Sequence, residues 1–489
     1  MSRLLLRAAR PVGGSDPRDL LIEDGAIRRV SPAGSPADGA EEIDLDGRFV
    51  GPGLWDAHIH AEQWVTARRR LDLADADSAA ATLARVAAAL STRGAADAGR
   101  PLVGYGFRDA LWADQPTLAA LDRIAGDTAV VLVSADLHCG WVSSAAARVL
   151  GLTPDATGVV SEAPWFAVHG RLNDLDPLTA DDFREAERAA ARRGVVGVVD
   201  FENADSASDW ATRIDEGADA LRVVAAVWPD RLDAAIAAGR RTGDPLHPSG
   251  LLTMGPLKIV ADGSLNTRTA WCWDPYPGAD PSRPDACGVS SVPPDELVRL
   301  LRRARAHGIE AAVHAIGDRA NTVVLDAFEE VGMTGVVEHA QLVREEDFAR
   351  FAALGLAASV QPEHAMDDRD AADRHWAGRS ERAFAYGSLL RAGAELRLGS
   401  DAPVSPLDPW FAISAAVGRS REGREPWHPD QRIPVDVALR ASSRSTIAEG
   451  EPADLVVTDA DPLAADAATL RAMPVAATLL AGRLTWSAL

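Results

Sequence analysis

Cysteine is scarce in this chain of 489 residues, which has three in all: Cys139, Cys272 and Cys287. None stands in a Cys-x-x-Cys spacing, which argues against a disulfide framework and against a thiolate zinc site. Long apolar runs are missing too. No stretch of about 18 apolar residues occurs, so no transmembrane helix is expected. The apolar part of the opening Met1-Ser-Arg-Leu-Leu-Leu-Arg7 is too short for a signal peptide, and a cytoplasmic protein is the default expectation. Positive charge is in deficit: 72 acidic residues stand against 50 basic ones, a net charge of −22. Such a balance argues against nucleic acid and membrane as partners. Lysine is the rarest charge. Of the 50 basic residues 49 are arginine, and the single lysine is Lys258. A GC-rich genome accounts for the arginines but not for the place of the one lysine.

What is present is ordinary for a globular protein: 47% hydrophobic and 25% charged residues, enough to bury a large core. The ends read as short β segments. Residues 19–31 form strand, Asp24-Gly25 turn and strand; Ala453–Thr458 and Val475–Trp486 read the same way. The two ends, 1–50 and 449–489, are expected to fold together as a composite β-sandwich.

Between them, eight short apolar runs alternate with helix-like segments: Gly53–His60, Val195–Phe201, Leu221–Val227, Pro256–Asp262, Glu310–Gly317, Gly335–Gln341, Leu356–Pro362 and Glu395–Asp401. Apolar strands separated by helices imply a parallel sheet buried on both faces, and eight of them a closed (β/α)₈ TIM barrel, an α/β fold, over 51–448. The first two strands are separated by a gap far longer than the usual 2–6 residues, so 61–194 is expected to be a large insertion after the first strand, a lid or substrate subdomain. It has its own strands at Leu102–Phe107 and Ala129–Ala135. Its aromatic residues Trp64, Tyr105, Phe107, Trp112, Trp141 and Trp165 either cover the barrel mouth or form the insertion's own core.

Chemistry gathers at the strand ends. His58-Ile59-His60 closes the first strand, where positions i and i+2 share a face, so both imidazoles can converge on one ion. His314, His339 and Asp401 sit near the ends of the fifth, sixth and eighth strands, and Lys258 lies in the fourth. A single histidine near a strand end is more often a satisfied core or surface residue, and Asp401 before Ala-Pro could cap a turn. Ionisable groups on five apolar strands are another matter, because each is costly to bury unless paired or metal-bound. Parallel barrel strands bring their C-terminal ends to one face, where barrel active sites lie. His138 and His364 each adjoin a predicted strand end and could face a substrate. The remaining histidines lie in polar or Pro-rich surroundings.

These residues resemble the amidohydrolase superfamily, and within it the YtcJ-like branch that includes N-substituted formamide deformylase. The resemblance rests on Gly51-Pro-Gly-Leu-Trp-Asp-Ala-His-Ile-His60, on Lys258-Ile-Val-Ala-Asp-Gly-Ser-Leu-Asn-Thr-Arg-Thr-Ala270 and on His314-Ala-Ile-Gly-Asp-Arg-Ala320. Glu338-His-Ala-Gln341, Gly399-Ser-Asp-Ala-Pro403, Val159-Val-Ser-Glu162 and Pro452-Ala-Asp-Leu-Val-Val457 extend it along the chain. It implies one or two divalent metals, usually zinc, at His58, His60, His314, His339 and Asp401, and it sets Lys258 where many members carry a carboxylated lysine. The second strand reads Val-Val-Asp200-Phe-Glu202 where the branch commonly begins a motif with His-Asp, which leaves that strand's contribution open.

The expected activity is hydrolysis of a non-peptide C–N bond in a small molecule, an amide, formamide or related group, by metal-activated water. Asp401 takes the water proton and returns one to the leaving nitrogen, and His339 or His138 helps polarise the carbonyl. Arg268, Asp318 and Gln361 are candidates for orienting the substrate. Competing readings are a metal-dependent decarboxylase or isomerase, and a non-catalytic ligand-binding descendant. No residue pattern specifies the oligomeric state; a homodimer is compatible with the sequence.

Overall fold

The computed structural model describes residues 3–489 apart from 38, 95, 96, 98, 108, 110, 111, 135–138, 170, 171 and 173–176. Its centre is an eight-stranded parallel sheet of β1 (Leu54–Ile59), β2 (Val195–Asp200), β3 (Arg222–Val227), β4 (Leu252–Val260), β5 (Ala311–Ala315), β6 (Gly335–His339), β7 (Leu356–Val360) and β8 (Glu395–Leu398). Each strand pairs with its neighbour in sequence, from β1 to β8. Val195–Asp200 is buried at every position, as a strand covered on both faces must be. Outward residues such as Leu257, Val313, Val337 and Leu396 pack with Leu301, Val324, Phe328 and Phe351 in one large core. Inward residues Val199, Phe201, Ala226, Ala312, Val336 and Ala357 form a separate interior layer.

The register carries this layering to the ionisable groups. Lys258 pairs with Ala312, which puts it at the level of that interior layer. Two residues further along, Val260 pairs with His314, His314 with Glu338, and Glu338 with Ser359. Because the side-chain period is two, His314 and Glu338 face the same interior one step closer to the C-terminal ends. The fourth strand starts at Leu252, earlier than the expected Pro256. A register shift against β3, between Ala225 and Val227, absorbs the proline that lacks an N–H.

The barrel closes where β1 and β8 end. The Asp401 N–H donates to the His58 carbonyl (2.7 Å) and the His60 N–H to the Ala402 carbonyl (2.9 Å). Gly399 makes this approach possible: a Cβ there would lie 2.7 Å from the His58 nitrogen. Asp56, fully buried, accepts from the N–H groups of His58 (3.1 Å) and Ser400 (2.9 Å) and so ties the same two segments.

Both chain ends enter one further eight-stranded sheet, joined where Leu455–Thr458 runs antiparallel to Phe49–Pro52. Leu6, Leu20, Ile22, Leu455, Val457 and Leu479 are among the residues of its own core. Residues 1–63 and 184–489 make one compact unit and 64–183 a second. Residues just after 183 pack with the barrel side: Glu187 accepts from the Ala220 N–H, and the Thr478 hydroxyl donates to the Ala191 carbonyl.

The second unit is built on a five-stranded sheet in the order Val159–Ser161, Cys139–Val142, Val130–Ser134, Leu102–Phe107 and Leu71–Asp72. Phe107, Trp112, Trp141 and Trp165 are buried in that unit's own cores. These four aromatics therefore serve the insertion's own packing, the second of the two alternatives the sequence left open. Among the described residues no helix is long and apolar enough to cross a membrane.

Candidate metal centre

His58 and His60 leave the end of β1 on the same side, two residues apart. Their Nε2 atoms lie 3.5 and 3.3 Å from Asp401 Oδ1. One potential ligand atom from each of His58, His60 and Asp401 falls within 4.8 Å of the others, and the same holds for His339, His364 and Asp401. Asp401 is thus common to two three-donor groups, and four imidazoles surround one carboxylate.

Two of these positions depend on unusual backbone. A strand alternates its side chains, so Glu338 and His339 would face opposite sides in regular β structure. His339 has φ +72 and Ala340 φ +42, which ends the strand and swings the imidazole toward the mouth. Asp401 has φ +57. Left-handed conformations are uncommon outside glycine, and they cluster where a site demands a particular side-chain direction.

The surroundings favour the neutral ring at His58 and at His339. Burial pushes the His58 ring down to about 4, with the Lys258 amine acting in the same direction. Burial, with His314 and His58 nearby, holds His339 well below the ordinary imidazole value. A neutral ring keeps a nitrogen lone pair for a cation. For Asp401, burial opposes the charged form. The attraction of His58, the hydrogen bond from His60 and the nearby His339 and His364 outweigh it, and the carboxyl stays well below its usual range. His58 Nδ1 lies 2.7 Å from Glu338 Oε2. An ionised carboxylate can only accept, so the proton sits on Nδ1 and the Nε2 lone pair points toward Asp401.

Several buried polar atoms here lack a hydrogen-bond partner among the described residues: His60 Nδ1, His364 Nε2, Gln361 Nε2 and Lys258 Nζ. A cluster of imidazoles with unpartnered nitrogens, gathered round one carboxylate, fits a divalent cation. Lys258 is 2% exposed, and its amine stands 4.3 Å over the Phe201 ring. Burial drives its pKa down, against the pull of Glu338 and Asp401.

The other expected site residues border these donor groups or lie away from them. His314 has its ring 4.5 Å from that of His339, but its Nε2 is 3.3 Å from the Gly263 carbonyl and 3.4 Å from Asp262. The residue that falls within reach of both His339 and Asp401 is His364, from helix Pro362–Asp367 after β7. Gln361 is buried and its Oε1 lies 2.8 Å from His339 Nδ1. Asp318 is buried, accepts from the Trp273 N–H (3.0 Å) and pairs with Arg382 (3.4 Å), so its carboxylate is engaged in holding loops together. Arg268 is exposed, in a left-handed conformation. His138 lies outside the described residues.

The open question of the second strand has a structural answer. Asp200 accepts from the N–H groups of Ala61 and Glu202 and from the Trp210 indole (2.8 Å). Glu202 accepts from the backbone and side chain of Gln63. Both carboxylates anchor the chain directly after His60. Glu338 and Asp56 were not assigned roles from sequence. A signal was present, because each is an acidic residue inside an apolar strand segment and so needs a partner.

Comparison with known proteins agrees with this geometry. The sequence pattern of the Amidohydrolase family matches residues 41–486. The chain is 30% identical to the putative amidohydrolase YtcJ of Bacillus subtilis, covering 95% of each chain. It is 26% identical to N-substituted formamide deformylase of Arthrobacter pascens, over 96% of this chain and 94% of that one. The crystal structure of an uncharacterized metal-dependent hydrolase from Pyrococcus horikoshii superposes with a TM-score of 0.77 at 26% identity, over 96% of this chain and 99% of that one. A barrel of eight parallel strands with imidazoles and a carboxylate at its closing seam, together with a family pattern that spans most of the sequence, places this chain in the amidohydrolase family.

Proposed function

We propose that this protein is a metal-dependent hydrolase that cleaves a non-peptide C–N bond, in an amide, formamide or related group, of a small molecule. The observation that carries the reading is the convergence of His58, His60, His339 and His364 on the single carboxylate of Asp401. The similarity to a formamide deformylase along almost the whole chain supports the substrate class. An imidazole and carboxylate donor set suits zinc. His58, His60 and Asp401 would hold one ion, with His339 and His364 as the donors of an adjoining position. When bound, a divalent metal supplies Lewis acidity and lowers the pKa of water toward neutrality.

The chain's own residues supply the rest. Asp401 Oδ1, beside His58 and His60, accepts the proton of the attacking water and delivers a proton to the departing nitrogen. His58, held by Glu338, keeps its donor lone pair aimed at that carboxylate. His339 lies across from it and assists in polarising the carbonyl. Lys258 offers a buried amine without a hydrogen-bond partner among the described residues; as the neutral base it can form an N–C bond to CO₂ with loss of one proton.

The test is metal analysis of purified protein followed by incubation with a panel of N-acyl and N-formyl amines. Zinc at one or two per chain, with release of free amine and acid, is the expected result. A product that retains every substrate atom, or a metal-loaded protein inert across the panel, would overturn the hydrolase reading.

A further inference from the structure

Gln361 touches both histidines of the second donor group, His339 through its side chain and His364 through its backbone. Its Oε1 lies 2.8 Å from His339 Nδ1. Its backbone carbonyl accepts the N–H of His364 (3.1 Å) and the hydroxyl of Tyr386 (3.2 Å). All four residues are buried: Gln361 at 2% exposure, Tyr386 at 0%, and His339 and His364 at 5%. The Tyr386 ring is itself held against the buried guanidinium of Arg419, 5.1 Å away. The chain from Arg419 through Tyr386 to Gln361 therefore has little freedom to rearrange.

A carbonyl oxygen only accepts, so with Oε1 against it His339 must carry its proton on Nδ1 and keep its lone pair on Nε2. The same logic operates at His58, where the Glu338 carboxylate does the accepting. Two imidazoles from different strands are thus set in the same tautomer by two acceptors of different charge. We propose that Gln361 is a positioning residue, not a substrate contact: it fixes the tautomer and orientation of His339 through its side chain and the placement of His364 through its carbonyl. This inference rests on the metal-centre reading given above.

Gln361→Leu removes the acceptor with little change in volume, and Gln361→Glu restores it as a carboxylate. In metal-free protein, ¹⁵N shifts of the His339 ring report the tautomer without any reaction. The wild type and Gln361→Glu should show the proton on Nδ1, and Gln361→Leu a mixture of both tautomers. Zinc competition against a chelator should show affinity reduced about 10–100-fold in Gln361→Leu and recovered to within about threefold of wild type in Gln361→Glu. An unchanged His339 tautomer and zinc affinity in Gln361→Leu, with only KM raised, would overturn the proposal in favour of a substrate contact. Should Gln361→Leu not fold, loss of the Nδ1 proton in a folded Gln361→Glu would overturn it as well. A wild type that binds no zinc yet keeps the Nδ1 proton would sink the metal reading while leaving the positioning role standing.

Discussion

Replacing Gly399 by alanine puts a methyl carbon 2.7 Å from the backbone nitrogen of His58 and 3.0 Å from both the Asp56 carboxylate and the His58 Cβ. The first of these neighbours is backbone, so relief requires the segment after β8 to move away from β1. That movement lengthens the two contacts that close the barrel, Asp401 N–H to the His58 carbonyl and His60 N–H to the Ala402 carbonyl. It also disturbs Asp56, whose carboxyl burial has pushed up to about 7 and which depends on the N–H groups of His58 and Ser400. Forcing a methyl into a filled site costs about 1–3 kcal/mol. Two weakened buried hydrogen bonds add about 1 kcal/mol each. The expected local destabilisation is about 3–5 kcal/mol. Because Asp401 and His58 sit on opposite sides of the strained seam, zinc affinity should fall by at least about tenfold. In a chain of this size global unfolding need not be two-state, so the appropriate assay is hydrogen exchange of the segments 58–60 and 399–402, with zinc competition alongside. Wild-type exchange rates at His60 and Asp401 together with wild-type zinc affinity would refute the idea that Gly399 is needed for closure.

Asp401→Asn removes the proton acceptor but keeps the shape, and turnover should drop about 10²–10⁴-fold while the imidazoles retain zinc; activity within tenfold of wild type would rule out the proton-transfer role. Lys258→Met replaces a buried amine, without a hydrogen-bond partner among the described residues, by an apolar side chain of similar length, so the melting temperature should stay level or rise while the metal content or the rate falls. A full complement of metal and an unchanged rate would show that the lysine is incidental. Glu187 is buried, with Oε1 lacking a hydrogen-bond partner among the described residues, and burial pushes its carboxyl from 4.5 up to about 8. A carboxyl raised on folding contributes stability below its unfolded value and loses it as pH climbs through the folded one, so melting temperature should decline between pH 5 and about 8. Glu187→Gln should flatten that decline, and parallel curves for the two proteins would exclude Glu187 as its source.

Much of the barrel could be read from local pattern. Runs such as Val195-Val-Gly-Val-Val-Asp200 and Gly335-Val-Val-Glu-His339 have no polar face, and a strand without one must be covered on both sides. The chain ends read as short β segments, and in the structure they enter one sheet, joined where Leu455–Thr458 meets Phe49–Pro52. The cast of donors was less legible. His314 occupies a strand end, as His339 does, yet its Nε2 lies beside the Gly263 carbonyl. His364 belongs to a short helix, and nothing in Gln361-Pro-Glu-His364 states which way that helix turns its imidazole. The direction depends on contacts from elsewhere: Glu363 is gripped by Arg421 and Arg471, residues far along the chain.

By itself the sequence determined the strands, their order and the accumulation of ionisable groups at their C-terminal ends, because periodicity and the cost of burying charge act over a few residues at a time. The tertiary structure decided which nitrogen each imidazole presents and which histidines share Asp401. Those outcomes follow from acceptors such as Glu338 and Gln361 meeting their partners across the barrel, and from positive φ at His339 and Asp401. Hydrogen bonds are short-ranged and directional, so they are settled only when distant strands are brought within 3 Å or so of each other. The lone lysine joins both accounts: its place in the fourth strand is plain in the sequence, while its burial over Phe201 without a hydrogen-bond partner among the described residues belongs to the fold.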